Sequence, residues 1–250
     1  MSGHNKWSSI KHRKGAQDAK RGALFSKIIR DIVVAVREGG ANEENNAALK
    51  TMLEKARAAN MPKDTVERAI ARGSGGAGGT KYETIIFEGY GPGGVAVIVE
   101  ALTDNRNRAV SDIRHAFSKS GGNLGETGCV SWMFERKGRF EIPAEGFDED
   151  SIMELVLESP ADDYSLEGDV YVVTSKPECF GAARQFFESK EIELNAADLV
   201  LVPKSTVPIS DEKTASQLLR LMDSLEDLDD VQSVSANWEM DDEILEKAAG

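Results

Sequence analysis

The sequence predicts an α+β multidomain fold: an N-terminal helical bundle followed by two α+β sandwich domains, the third inserted in the second. Three observations predict it. Before position 72 the apolar residues recur at spacings of three and four. After position 81 they fall into short β-rich runs that alternate with single amphipathic helices. Between the two regimes, Gly73 to Gly79 holds five glycines in seven positions, too little side chain to pack. With 250 residues, 40% of them apolar and 29% charged, the chain can support two or three modest cores.

The elements follow in order. From Ala16 to Glu38, the residues Leu24, Phe25, Ile28, Ile29, Ile32, Val33 and Val36 form one broad helical stripe, ended by Gly39 and Gly40. At 100° per residue, Lys20, Lys27, Arg30 and Arg37 fall on the side away from it, so packing the stripe is expected to turn these cations outward together. A second helix is expected from about Glu44 to Ala59, with Leu49, Met52, Leu53 and Ala56 on its core face. A third begins at Pro62, well suited to a first turn, and stops at Gly73. Next, ETIIFEG and VAVIVEAL flank the turn residues YGPGG and read as a hairpin. Asp104 and Asn105 cap a helix from about Arg106 to Lys119, and a strand is expected at Cys129 to Glu135. RFEIPAE, DEDSIMELVLES, DVYVVTS, PECFGAARQFFES and ADLVLVP then alternate strand and helix as a further α+β unit. A helix from about Glu212 to Leu228 and a strand at Val231 to Trp238 close the chain before a short acidic tail. One helix and one strand cannot build a core, so they are expected to complete the sheet of 81–135. The expected organisation is a basic bundle over 1–72, a glycine-rich hinge over 73–80, a domain assembled from 81–135 and 206–240, and an inserted domain over 136–205.

Charge carries the functional reading. The net charge of −13 argues against a polyanionic partner until its distribution is considered. Residues 1–37 hold nine Lys or Arg against Asp18 and Asp31, a surplus of seven that leaves about −20 on the remainder. Such asymmetry marks a nucleic-acid-facing part attached to an acidic body. The expected contact residues are Lys6, Lys11, His12, Arg13, Lys14, Lys20, Arg21, Lys27 and Arg30, among Ser, Asn and Gln donors that suit phosphate oxygens. The alternative for the first residues is a solubilising tail. Trp7 and Ile10 weigh against that, since a Trp stacks on a base or pins the segment to the bundle. Arg106, Arg108 and Arg114, with His115, form a candidate second phosphate site near a helix N-terminus. The same arginines can equally be partners of nearby carboxylates.

Other chemistries find little support. Gly73, Gly75, Gly78 and Gly89, Gly91, Gly94 both match G-x-G-x-x-G, but the first follows a helix and the second leads into a strand, the wrong context for a dinucleotide. No P-loop, G-x-S-x-G or H-E-x-x-H string occurs. Cys129 and Cys179 stand far apart without ligand spacing and are read as small buried hydrophobes. No catalytic residue, metal site, cofactor or small-molecule substrate is therefore expected, although an enzyme working in an interdomain cleft is a rival reading. A protein-only adaptor using the acidic surface is another. The longest apolar runs are strand-length and the first residues lack a signal-peptide pattern, so no membrane and a cytoplasmic location are expected.

The strings SGHNKWSSIKHRKGAQDAKRGALFSKIIRDI, NMPKDTVERAIARGSG, YETIIFEGYGPGGVAVIVEALTDNRNRAVSDIRHAFSKSGGNLGETGCVSWMF and LMDSLEDLDDVQSVSANW closely resemble the YebC/PmpR family. That family includes the mitochondrial translational activator of cytochrome c oxidase. The resemblance spans essentially the whole chain and is weakest over 137–203. It implies three domains around a cleft, and a cytosolic protein of a kind long described as a transcriptional regulator that binds DNA. Other members of the family act at the ribosome and support translation of proline runs, which makes ribosomal RNA and the ribosome the alternative partners. Direct base readout is not evident in the first helices, so phosphate and shape contacts are expected to dominate.

Overall fold

The computed structural model describes residues 17–75 and 81–249, with side chains from Arg21 to Ala248. Three helices come first, α1 (Gln17–Gly39), α2 (Ala47–Ala58) and α3 (Lys63–Ser74). Ile28, Ile32, Val33, Ala35 and Val36 of α1 are buried against Leu49, Leu53 and Ala56 of α2 and Ala69 of α3. Gly40 ends α1 in the left-handed region, φ +84°, where its N–H reaches back to the Val36 carbonyl at 2.8 Å. The second helix begins later than expected, at Ala47, because Asn46 caps it. Its buried side chain accepts from Leu49 N at 3.0 Å and donates to the carbonyls of Ala35 and Gly40 at 2.7 and 2.8 Å. One residue thus starts α2 and ties it to α1.

The glycine-rich stretch departs from the expected hinge at its first residue. Gly73 is a buried position inside α3, where an added Cβ would lie 2.7 Å from Val36 Cβ. This glycine is there for close helix packing. Residues 76–80 of the hinge lie outside the described residues.

After these come β1 (Glu83–Tyr90), β2 (Ala96–Thr103), α4 (Arg106–Lys119) and the short β3 (Asn123–Leu124). β1 and β2 pair antiparallel from Glu83↔Thr103 to Tyr90↔Ala96, and Gly93 and Gly94 turn the hairpin at φ +75° and +76°. The chain then builds β4 (Phe134–Pro143), α5 (Glu149–Glu158), β5 (Asp163–Glu167), β6 (Val170–Ser175), α6 (Phe180–Ser189) and β7 (Ala196–Pro203). Their sheet is antiparallel with order β5-β6-β4-β7, the split βαββαβ arrangement. Phe140, Ile142, Tyr171 and Val173 pack there on Ile152, Val156, Ala183 and Phe187 of its helices. The strand expected at Cys129 to Glu135 does not form. A 3-10 turn at Ser131–Met133 stands there, and Phe134 already begins β4 of this second sheet.

The last part comprises β8 (Val207–Pro208), α7 (Glu212–Glu226), β9 (Val231–Ala236), β10 (Trp238–Glu239) and α8 (Asp242–Ala249). β9 pairs antiparallel with β2 and completes the first sheet in the order β3-β1-β2-β9, around the sequence of the second. Val97, Val99 and Ala101 face Ile113 and Phe117 of α4 and Leu218, Leu221 and Met222 of α7. Where an acidic tail was expected, α8 packs on α7 through Leu245. On the other face of the sheet, Ala96 and Ile98 meet Val130, Phe134 and Leu201, so a separate apolar cluster joins the two sheets. No helix among the described residues is long and apolar enough to cross a membrane.

Candidate nucleic-acid interface

Lys6, Lys11, His12, Arg13 and Lys14 lie outside the described residues, as do Trp7 and Ile10. Lys20 belongs to the first turn of α1, its side chain outside the described set. Arg21 is exposed, its guanidinium 5.6 Å from the Phe25 ring centroid.

Lys27 and Arg30 correct the expectation drawn from helical angles. They do not turn to solvent. Lys27 Nζ donates to the Glu226 carbonyl at 2.7 Å, and Arg30 donates to the Asp229 carbonyl and lies 3.3 Å from the Asp230 carboxylate. The Arg30 side chain is 15% exposed and that of Asp230 8%, so this pair is largely withdrawn from water. Arg37 is half-buried as well. A helical wheel knows only the core that a helix's own apolar stripe faces. Here a second surface, the acidic turn between α7 and β9, covers the opposite side.

Asp230 is the centre of that contact. It also accepts from Arg108 at 2.8 to 3.1 Å, in the forked geometry that makes Arg–carboxylate pairs strong, and from the Thr103 hydroxyl at 3.0 Å. Arg108 further pairs with Asp104 at 2.8 Å. These carboxylates hold the Arg108 guanidinium well above its ordinary range, and Arg108 in turn holds Asp104 below its own. Arg106 stands 3.9 Å from Glu83. Asn105 supplies the cap of α4, accepting from Arg108 N at 3.1 Å. The three arginines of the candidate second phosphate site are therefore not gathered: Arg108 is bound to carboxylates, Arg106 faces Glu83, and Arg114 lies two turns further along the helix.

Two more contacts cross between the bundle and the second sheet. Lys55 Nζ is 2.6 Å from Asp198 of β7, and Arg184 of α6 is 2.7 Å from Glu54 of α2. Asp31 sits on α1 near Lys55, Lys27 and Arg30, and burial outweighs those cations to push its carboxyl up to about 6.

Sequence reasoning missed the organisation of the loop before β4. Glu88, 3% exposed on β1, accepts from the backbone N–H groups of Gly128, Val130 and Ser131, each at 2.8 Å. Burial acts to raise its pKa, yet the three amides together hold it below the ordinary carboxylate value. Tyr90 Oη and Trp132 Nε1 each donate to the Cys129 carbonyl at 3.2 Å, while the Trp132 side chain is 66% exposed. An acidic residue inside an apolar alternation was the available signal. Cys129 and Cys179 are half-buried free thiols, and burial together with Glu88 raises the Cys129 pKa. Among the described residues no group of three or more His, Cys, Asp and Glu is placed to hold a metal.

Family models match most of the chain. The model for the N-terminal domain of TACO1/YebC proteins matches residues 5–76, and that for their second and third domains matches residues 82–238. A protein of Syntrophobacter fumaroxidans, described as a probable transcriptional regulatory protein, is 52% identical over the full length of both chains. A protein of Rubrobacter xylanophilus with the same description is 53% identical, again over the whole of both. The crystal structure of a conserved hypothetical protein from Aquifex aeolicus is 48% identical, with a TM-score of 0.85, covering 94% of this chain and 97% of that one.

Proposed function

The chain belongs to the TACO1/YebC family, and from that premise we propose that it is a cytoplasmic regulator of gene expression that binds nucleic acid, DNA first, without catalysing a reaction. One observation carries the reading: a surplus of seven cations in residues 1–37 on a chain whose remainder holds about −20. The descriptions of the relatives as probable transcriptional regulatory proteins support a regulatory role. Lys27 and Arg30 are engaged by the acidic turn, so contact with the docked molecule falls to Lys6, Lys11, His12, Arg13, Lys14, Lys20 and Arg21. Phosphate contacts position a nucleic acid without reading its sequence, which makes affinity broad and salt-dependent. Against catalysis stands the use made of two carboxylates held below their ordinary range. Glu88 and Asp104 are consumed by backbone amides and by Arg108.

The test is binding to duplex DNA and structured RNA across salt concentrations. Each phosphate neutralised adds about 0.9 to the log–log salt slope on duplex DNA. Replacing Lys11, Arg13 and Lys14 by Ala is expected to lower that slope and to weaken all sequences about equally. A flat salt response, or a loss confined to one sequence, overturns the reading. Crosslinking in growing cells then distinguishes DNA from ribosomal RNA as the target.

A further inference from the structure

We propose that the outward face of α4 is a second contact strip for the same nucleic acid, on which Asn107, Ser111, Arg114, His115 and Ser118 take phosphates of its backbone. The proposal rests on the nucleic-acid reading above and adds a surface on the acidic body. These positions fall at i, i+4, i+7, i+8 and i+11, one face of a helix. Eleven residues of helix measure about 16 Å, the rise of four to five nucleotides at about 3.4 Å each. The five side chains, with half-buried Val110 between them, line one shallow depression open to solvent. The opposite face, Ala109, Ile113, Ala116 and Phe117, is buried on the first sheet and fixes which way the strip points.

Charge and donor chemistry select the partner. On a strongly acidic body, α4 carries Arg106, Arg108, Arg114 and Lys119 against Asp112 alone. Arg108 and Arg106 face carboxylates, as described above. Among the described residues, Arg114 and His115 make no side-chain hydrogen bond or ion pair. Their donors remain available. The lining offers an amide, two hydroxyls, a guanidinium and an imidazole, and it includes no carboxylate. Those are the side chains that meet phosphate oxygens. A protein partner would want a buried aromatic or aliphatic anchor, and the depression presents only half-buried Val110.

The experiment uses the full chain and random-sequence duplex DNA and single-stranded RNA, read by fluorescence anisotropy over a salt series. Arg114→Ala with His115→Ala is expected to weaken binding by about fivefold at low salt, alike for every sequence, and to lower the log–log slope by about 1. Arg114→Lys keeps the charge and should keep the slope, while Arg114→Glu should weaken binding further. Lys247→Ala, an exposed cation on α8, serves as the control and should change nothing. If the unaltered chain binds with a steep salt slope and the Ala variant matches it, the strip is overturned while the proposed function stands. If the unaltered chain binds neither nucleic acid, both fall together.

Discussion

Asp31 shows how one residue acquires a pH dependence from its surroundings. Its carboxyl titrates near 6 in the folded chain against a usual 3.8, so the folded state holds the proton more tightly than the unfolded one. The proton-linked stability is therefore fully present below about pH 4 and is lost as pH rises through 6. Asp31→Asn is expected to raise stability at pH 7 by about 1–3 kcal/mol and to give no gain at pH 4, as measured by urea unfolding at the two values. An equal gain at both would refute the assignment. Glu88 behaves in the opposite sense. Its folded pKa is depressed, so its contribution is present above the unfolded value and disappears as pH falls through the folded one. Removing a charged acceptor from buried donors costs about 1.5–3 kcal/mol. Glu88→Ala should lose that amount at neutral pH and shift the emission of Trp132, which stands on the loop that Glu88 holds.

At the scale of elements, glycine in the stretch 73–79 has two separate uses. Gly73 lets α3 approach α1, with Val36 Cβ and the Val33 carbonyl 2.7 and 3.0 Å from the place of an added Cβ. Gly75 has nothing nearer than the Ala71 carbonyl at 3.5 Å. Gly73→Ala is thus expected to destabilise the bundle by about 1–3 kcal/mol through overpacking, whereas Gly75→Ala should fall within about 0.5 kcal/mol of the parent. Thermal unfolding followed at 222 nm compares them, and equal midpoints would show that Gly73 is not a packing glycine. Composition could not separate these roles, because a glycine string looks alike whether it faces solvent or a valine. The start of β4 was hidden for a related reason. CVSWMF has strand-like residues, but Glu88 holds the Gly128 to Ser131 backbone in a loop by hydrogen bonds from a strand 40 residues away.

At the scale of the molecule, the described polar contacts between the bundle and the rest are ionic or carbonyl-directed: Lys27 and Arg30 on the α7–β9 turn, Lys55 on Asp198, and Glu54 on Arg184. The half-exposed pairs Lys55–Asp198 and Glu54–Arg184 contribute about 0–1 kcal/mol each and weaken with salt, whereas the withdrawn Arg30–Asp230 pair is screened much less. Docking of the bundle should therefore loosen before any core unfolds. Raising salt to about 0.5 M, where the Debye length falls to roughly 4 Å, is expected to increase amide exchange in α2, which carries Glu54 and Lys55, while the 226–230 turn and the interiors of the two sheets stay protected. Asp230→Ala should open the 226–230 turn itself at low salt, since it strips the carboxylate from Arg30 and Arg108 together. Unchanged exchange in both cases would mean that apolar packing holds the bundle. The sequence by itself determined the helices of the bundle, the hairpin of β1 and β2, the alternation that became the second sheet, and the concentration of cations in residues 1–37. All of these rest on local periodicity, turn chemistry and composition, which the chain carries in one dimension. Only the tertiary structure decided where the cations went. Whether Arg30 and Arg108 meet phosphate or Asp230 depends on an aspartate 200 and 122 positions further along, and no local pattern records which distant carboxylate the fold brings to 3.3 and 3.1 Å.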